Sequence, residues 1–267
     1  MMRTVLILGA SGTIGSAIFR RLSQEKTLRV VGTCFSARQK ESPDMIRFSL
    51  ETDILPLLRQ VRPDVIVSAM RGDFGEQLSA HETAADCLRE HGGKMIFLST
   101  VNVFDGGMDR PHYEEDTREP VSAYGRFKLQ CEDLLRDRLD RQAAVLRLPF
   151  VWGKNSPRME AVRAGCAAGQ LEVHAIQSNH AADLQIAELV EWIIREDRSG
   201  TFHVGTSDII GYEPFMERLI AAMGVKKPRF VRGEAAGVMA VLNSRTDIPQ
   251  ELLDWDSERL IQYLCMP

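Results

Sequence analysis

The run Thr4-Val5-Leu6-Ile7-Leu8-Gly9-Ala10-Ser11-Gly12-Thr13-Ile14-Gly15 constrains this chain more than any other. A short apolar, β-branched stretch feeds three glycines spaced three apart. Ser16-Ala17-Ile18-Phe19-Arg20-Arg21-Leu22 then follows with helical periodicity. The order is strand, tight turn, helix. Glycine lets the backbone take positive φ and approach a phosphate closely, while the free N–H groups of a helix start face the anion. A turn of this kind opens a dinucleotide-binding βαβ unit. The candidate cofactor contacts are Gly9, Ser11, Gly12, Thr13, Ile14 and Gly15.

The rest of the chain alternates in the same manner. Leu28–Phe35, Val65–Ala69, Lys94–Ser99 and Ala143–Leu148 read as strands, and Gln77–Glu90 and Ser122–Leu139 read as helices. This alternation predicts an α/β fold built on a doubly wound parallel sheet. After Pro149 the pattern loosens. Helices near Met159–Ala168, Asp183–Arg195 and Glu213–Met223 surround strand-like pieces at Leu171–Ile176 and Thr201–Val204. Residues 1–150 are therefore expected to form a Rossmann-type core, with 183–204 completing its sheet. Residues 151–182 and 205–267 would form a small C-terminal substrate lobe over the strand ends, where such sheets bind ligands.

With 267 residues, 44% of them hydrophobic, the chain can bury a large core. Its net charge of −4 leaves no electrostatic footprint for nucleic acid. No apolar run approaches the roughly 20 residues that span a bilayer, and Gly9 follows too soon for a signal peptide. Five scattered cysteines suggest free thiols in a reducing, cytoplasmic setting. His112, His174, His180 and His203 lack ligand spacing, so no metal site is expected.

The second strand runs into Cys34-Phe35-Ser36-Ala37-Arg38-Gln39-Lys40, with no acid before Glu41. An NAD site of this topology usually places Asp or Glu there for the ribose 2′-OH. Ser36, Arg38 and Lys40 suit a 2′-phosphate instead, which favours NADP(H).

Tyr124-Gly125-Arg126-Phe127-Lys128 puts a lysine four residues after a tyrosine, on one face of a helix. A cation there stabilises a phenolate and brings the tyrosine toward a usable acid/base. Ser99-Thr100 ends the strand Met95-Ile96-Phe97-Leu98, placing hydroxyls at the ligand-binding edge of the sheet. Each feature alone has a bland reading: a core tyrosine beside a snorkelling lysine, and a strand-terminating turn.

Together, the Gly-x-x-Gly-x-x-Gly turn, the strand-end hydroxyl and Tyr-x-x-x-Lys resemble the extended short-chain dehydrogenase/reductase superfamily. The resemblance sharpens in Leu98-Ser99-Thr100-Val101-Asn102-Val103-Phe104-Asp105-Gly106. It continues in Tyr113-Glu114-Glu115-Asp116-Thr117, Pro120 and Tyr124-Gly125-Arg126-Phe127-Lys128-Leu129. These stretches are similar to blocks of the dTDP-4-dehydrorhamnose reductases, as are Leu146–Gly153 and Gly200–Val204 further on. The resemblance implies hydride transfer between a nicotinamide cofactor and the carbonyl of a small molecule, a nucleotide-activated deoxy sugar or a related metabolite. Tyr124 would protonate the carbonyl oxygen. Lys128 would hold the nicotinamide ribose and depress the tyrosine pKa, and Thr100, seconded by Ser99, would orient the carbonyl. Ala69, in the stretch Ser68-Ala69-Met70 that stands for the family's Asn-Ala-Ala, is a further cofactor contact. Helices flanking the sheet often pair in this superfamily, so a homodimer is a possible assembly.

The chain also departs from that pattern. Val101 stands where the reductases have an aspartate, Asn102 replaces a common tyrosine, and Ala240-Val241-Leu242-Asn243-Ser244 keeps only the last two residues of Arg-Pro-x-Asn-Ser. Val101 would make one wall of the substrate pocket apolar. Phe150, Trp152, Arg147 and Arg158 have both substrate-facing and structural readings. Two other functions remain open at this level: epimerisation or dehydration with the same triad, and a nucleotide-binding regulatory subunit like the β subunit of methionine adenosyltransferase.

Overall fold

The computed structural model describes residues 2–35 and 44–266. Val5, Leu6, Ile7 and Leu8 are fully buried, as a strand covered on both faces must be. They belong to β1 (Arg3–Leu8), which leads through the glycine turn into α1 (Thr13–Leu22) and β2 (Leu28–Cys34). Next come β3 (Met45–Arg47), α2 (Leu55–Val61), β4 (Val65–Ser68), α3 (Phe74–His91) and β5 (Lys94–Thr100). After a 3-10 turn at Val101–Phe104 follow α4 (Ala123–Leu139) and β6 (Ala143–Leu148). The second half carries β7 (Phe150–Trp152), α5 (Pro157–Ala168), β8 (Gln170–Ser178), β9 (His180–Ala182), α6 (Asp183–Arg195) and β10 (Gly200–His203). It ends with β11 (Ile210–Gly211), α7 (Tyr212–Ala222), β12 (Arg229–Met239), α8 (Gln250–Leu253) and α9 (Ser257–Cys265).

Among the described residues, seven strands form one sheet in the order β10-β6-β5-β4-β1-β2-β3. β1 pairs parallel with β2 on one side and β4 on the other, and β4 pairs parallel with β5. The order therefore reverses between β1 and β4, the switch point at which open α/β sheets bind ligands. The expected doubly wound, Rossmann-type sheet is present. No described helix is long and apolar enough to cross a membrane.

The chain folds into two compact units. The first comprises the residues up to Ser99 together with Arg126–Leu146 and Ile186–Phe202. Its core gathers Leu6, Leu8, Ile66, Leu88, Phe97 and Leu135. Each such side chain contributes roughly 1.5–3 kcal/mol when fully buried. Helix α3 begins three residues before the Gln77 start expected from periodicity. Asp73 caps it, accepting from Gly75 N (2.8 Å) and Glu76 N (3.1 Å). Gly92, at φ 77°, ends it in the left-handed conformation that favours glycine. Buried Lys94 fastens the start of β5 to the turn after α6 by reaching Asp197 (2.8 Å) and the Arg198 carbonyl (2.7 Å).

The second unit comprises Thr100–Gly125, Arg147–Gln185 and the chain from His203 onward. β8 lies between β11 and β12, and β7 pairs with β9. Its core joins Trp152, Phe215, Leu219, Trp255, Leu260 and Leu264. β12, which the sequence pattern did not announce, runs parallel to β8 with a register shift between Arg232 and Ala236.

Candidate active site

In the first unit the glycine turn is packed tightly against backbone. Gly9 sits at φ +82°, and a Cβ there would stand 2.6 Å from the Ala69 carbonyl oxygen. A Cβ on Gly15 would stand 2.2 Å from the Gly9 oxygen, so glycine is required at both. Gly9 N donates to Thr33 Oγ1 (2.9 Å), which holds the turn against β2. Gly12 caps α1 with no side-chain hydrogen bond, and the first turn carries no acidic residue. The opening N–H groups of α1 thus meet no competing carboxylate there. Ser11 and Gly12 are exposed, Thr13 and Ile14 half-buried, and Ala69 packs beside Gly9. Ser36, Arg38 and Lys40 lie outside the described residues.

The same unit holds Lys128, 6% exposed. Its Nζ donates to the Leu98 carbonyl (2.8 Å) and stands 4.5 Å from the centre of the Phe97 ring. Burial pulls the ammonium pKa down to about 8; Cys131 and Glu132 oppose that and Arg71 adds to it. Buried Glu132 accepts a hydrogen bond from Ser99 Oγ. Ser99 is thus committed to an internal carboxylate, while Thr100 takes up the turn that follows. His81 sits nearby, its Nε2 2.7 Å from Ser68 Oγ and its Nδ1 3.8 Å from Cys131 Sγ.

In the second unit Thr100 Oγ1 accepts from Asn102 N (3.2 Å) and donates to Asn102 Oδ1 (2.9 Å). Asn102 Nδ2 points to Asp105 Oδ2 (3.4 Å), which fixes the amide with its oxygen toward Thr100. Asp105 also accepts from Val121 N (2.6 Å) and Ser122 N (3.3 Å). Ser122 Oγ in turn accepts from Gly125 N (2.9 Å) at the start of α4. A Cβ on Gly125 would stand 2.3 Å from the Asn102 carbonyl oxygen, so the helix start lies directly on the 3-10 turn. One short network therefore joins Thr100 to the Gly125 N–H in the first turn of α4. Tyr124 is 41% exposed and lies in the first turn of α4, with Lys128 one turn further along the same helix. Val101 is buried at 4% exposure, so an aspartate there would need a buried partner.

Other candidates have structural duties. Arg147 is buried, donates to the Glu114 carbonyl (3.0 Å) and lies over the Phe104 ring. His180 accepts from Trp152 Nε1 (3.1 Å) and stacks on Phe215. Arg158 lies 4.7 Å from the Phe150 ring and 5.3 Å from that of Trp152. Glu132 was not singled out from the sequence, and Asn102 and Glu114 were named there without the contacts they make to Thr100 and Arg147. The spacing of 124, 128 and 132 on one helix was the available signal for Glu132.

The sheet order and the glycine turn between β1 and α1 make this an α/β protein with a Rossmann-type sheet. The family follows from comparison. Residues 2–234 match the RmlD substrate binding domain, and the chain belongs to that family. Over 164 residues it is 28% identical to methionine adenosyltransferase 2 subunit beta of Bos taurus; the match covers 57% of this chain and 48% of that one. The chain thus spans about half the length of that curated relative. Among solved structures, the dTDP-4-dehydrorhamnose reductase of Yersinia enterocolitica superposes with a TM-score of 0.80 at 18% identity, covering 98% of both chains. The Bacillus anthracis str. Ames dTDP-4-dehydrorhamnose reductase in complex with NADP gives 0.70 at 16% identity, covering 91% of both.

Proposed function

We propose that this protein is an NADPH-dependent reductase of a ketone carried by a nucleotide-activated deoxy sugar or a related small molecule. The observation that carries the reading is the buried Lys128 ammonium one helical turn beyond Tyr124, in a chain whose N-terminal turn can cradle a diphosphate. Gly9, Gly12 and Gly15 fit that group: a Cβ at Gly9 or Gly15 would collide with backbone, Gly12 leaves the exposed helix start bare, and the first turn of α1 carries no acid. These residues, with Ser11, Thr13, Ile14 and Ala69, would hold the cofactor's diphosphate end. The cofactor, when bound, supplies the hydride.

Tyr124 donates the proton to the carbonyl oxygen through its phenol. Lys128 favours the phenolate that remains and gives a donor to the ribose hydroxyls. Thr100 Oγ1 hydrogen-bonds the carbonyl, with Asn102 setting its rotamer. Ser99 supports Glu132 and takes no part at the carbonyl. The absence of an acid before Glu41, with Ser36, Arg38 and Lys40 in its place, supports NADPH over NADH.

The test is Tyr124→Phe, which keeps the ring and removes the proton. Turnover of a nucleotide-4-keto sugar should fall at least about a hundredfold while NADPH affinity holds. Full turnover in the variant would reject the reading. The 28% identity to methionine adenosyltransferase 2 subunit beta favours a second one, a nucleotide-binding partner of another enzyme. Cofactor retention with neither NADPH consumption nor any altered sugar product would select it, whereas retention with an epimerised or dehydrated product and no net NADPH turnover points to the epimerase class.

A further inference from the structure

We propose that Glu132 is a positioning residue for Lys128: a buried carboxylate, anchored by Ser99, that acts as the counter-ion of the Lys128 ammonium. This rests on the catalytic reading of Tyr124 and Lys128 above and adds the group that keeps that lysine charged. Glu132 follows Lys128 by four residues on α4, so their side chains share one helix face. Lys128 is 6% exposed and Glu132 3%. An ammonium removed from water needs compensation, and a full opposite charge supplies more than dipoles do. The Leu98 carbonyl and the Phe97 ring face give partial charges only.

The other titratable groups around Lys128 cannot serve. On α4, Cys131 is pushed up to about 12 by burial, so at neutral pH it is an uncharged thiol. From α3, His81 is held down to about 3, mainly by burial and then by Lys128 itself, so it is neutral too. Arg71, after β4, is a cation and acts against the lysine's charge. Among these described groups Glu132 is the one anion. Ser99 Oγ holds it from β5, which explains why the hydroxyl before Thr100 is turned inward. A carboxylate with only a structural role would brace the β5–α4 packing but leave the lysine's titration unmoved.

The experiment uses the full-length protein with lysine labelled by 13C at Cε, the Lys128 signal being assigned by its loss in Lys128→Met. Without cofactor, the Lys128 titration midpoint should lie near 8 in the wild type. It should fall by at least about one unit in Glu132→Gln, with about half or more regained in Glu132→Asp. The alkaline limb of kcat for NADPH-dependent ketone reduction should move the same way. An unchanged midpoint in folded Glu132→Gln overturns the proposal. Should that variant not fold, Ser99→Ala decides: it frees the carboxylate from its anchor, and an unmoved Lys128 midpoint there overturns the proposal equally. Failure of the catalytic reading shows separately, as full turnover in Tyr124→Phe, while the cofactor-free titration still judges Glu132.

Discussion

His81 and His180 are both enclosed, at 0% exposure, and neither has a water-facing nitrogen. His180 accepts at Nδ1 from Trp152 (3.1 Å), which makes it a neutral imidazole carrying its proton on Nε2. Burial, reinforced by Lys128 for His81 and by Arg158 for His180, holds each near a pKa of about 3 against an ordinary 6.5. The unfolded chain therefore binds protons between pH 6.5 and 3 that the native chain refuses, and stability falls as pH falls through that window. Between pH 6.5 and 5 each histidine accounts for about 2 kcal/mol. We expect the Tm to drop across that interval, and to drop less in His180→Asn, whatever that variant's absolute Tm. Parallel Tm-against-pH lines for the two proteins would refute it. At this scale the chemistry was unevenly legible. Thr100, Tyr124 and Lys128 announce themselves through local spacing. Ser99 stands out equally as a strand-end hydroxyl, but its bond to Glu132 does not, because it joins residues 33 apart and exists only once β5 and α4 have packed.

Elements whose signals are local were read well, and those defined by distant partners were not. α6 spans Asp183–Arg195, the bounds its periodicity indicates, and α3 was placed short only because the Asp73 cap was taken for loop. β12 was missed: Arg-Phe-Val-Arg-Gly-Glu-Ala-Ala-Gly-Val-Met has two glycines and mostly exposed or half-exposed positions. Its strand character comes from pairing Arg229 with Gln170 and Met239 with Ser178. α9 was also missed, although Asp256 caps it and Leu260, Ile261 and Leu264 give it a helical apolar face. The β1–turn–α1 unit is the opposite case, and two substitutions separate its packing from its binding. In Gly15→Ala the new Cβ would stand 2.2 Å from the Gly9 oxygen and 2.9 Å from its carbon, and backbone cannot move aside cheaply. We expect a loss of at least roughly 2 kcal/mol in urea unfolding. In Gly12→Ala the nearest atom is 3.5 Å away and φ is −78°, so stability should change by less than about 1 kcal/mol. Its methyl group instead occupies the exposed helix start, and NADPH affinity should fall at least tenfold. Similar stability losses in both variants would show that the two glycines share one structural role.

For the molecule as a whole, the two units carry separate cores with no residue in common. Gly9 to Gly15, Ala69 and Lys128 belong to the first; Thr100 and Tyr124 belong to the second. A ligand that binds only the native state stabilises what it binds, by about 2.7 kcal/mol at a hundred times its Kd. The three tryptophans can report where that stabilisation goes. Trp192 lies in the first unit, edge-on to Phe202, whereas Trp152 and Trp255 lie in the core of the second. With Trp152 and Trp255 both replaced by phenylalanine, fluorescence follows the first unit alone. We expect its unfolding transition to rise with NADPH at a hundred times Kd. The same concentration of NADH should yield roughly 1.3 kcal/mol less, the deficit of a tenfold weaker ligand. Arg38→Ala should erase that difference, since a guanidinium suited to the 2′-phosphate is what the proposed preference rests on. Equal shifts from the two nucleotides in the parent would reject the NADPH preference. No shift from either would reject the cradle formed by Gly9, Gly12 and Gly15.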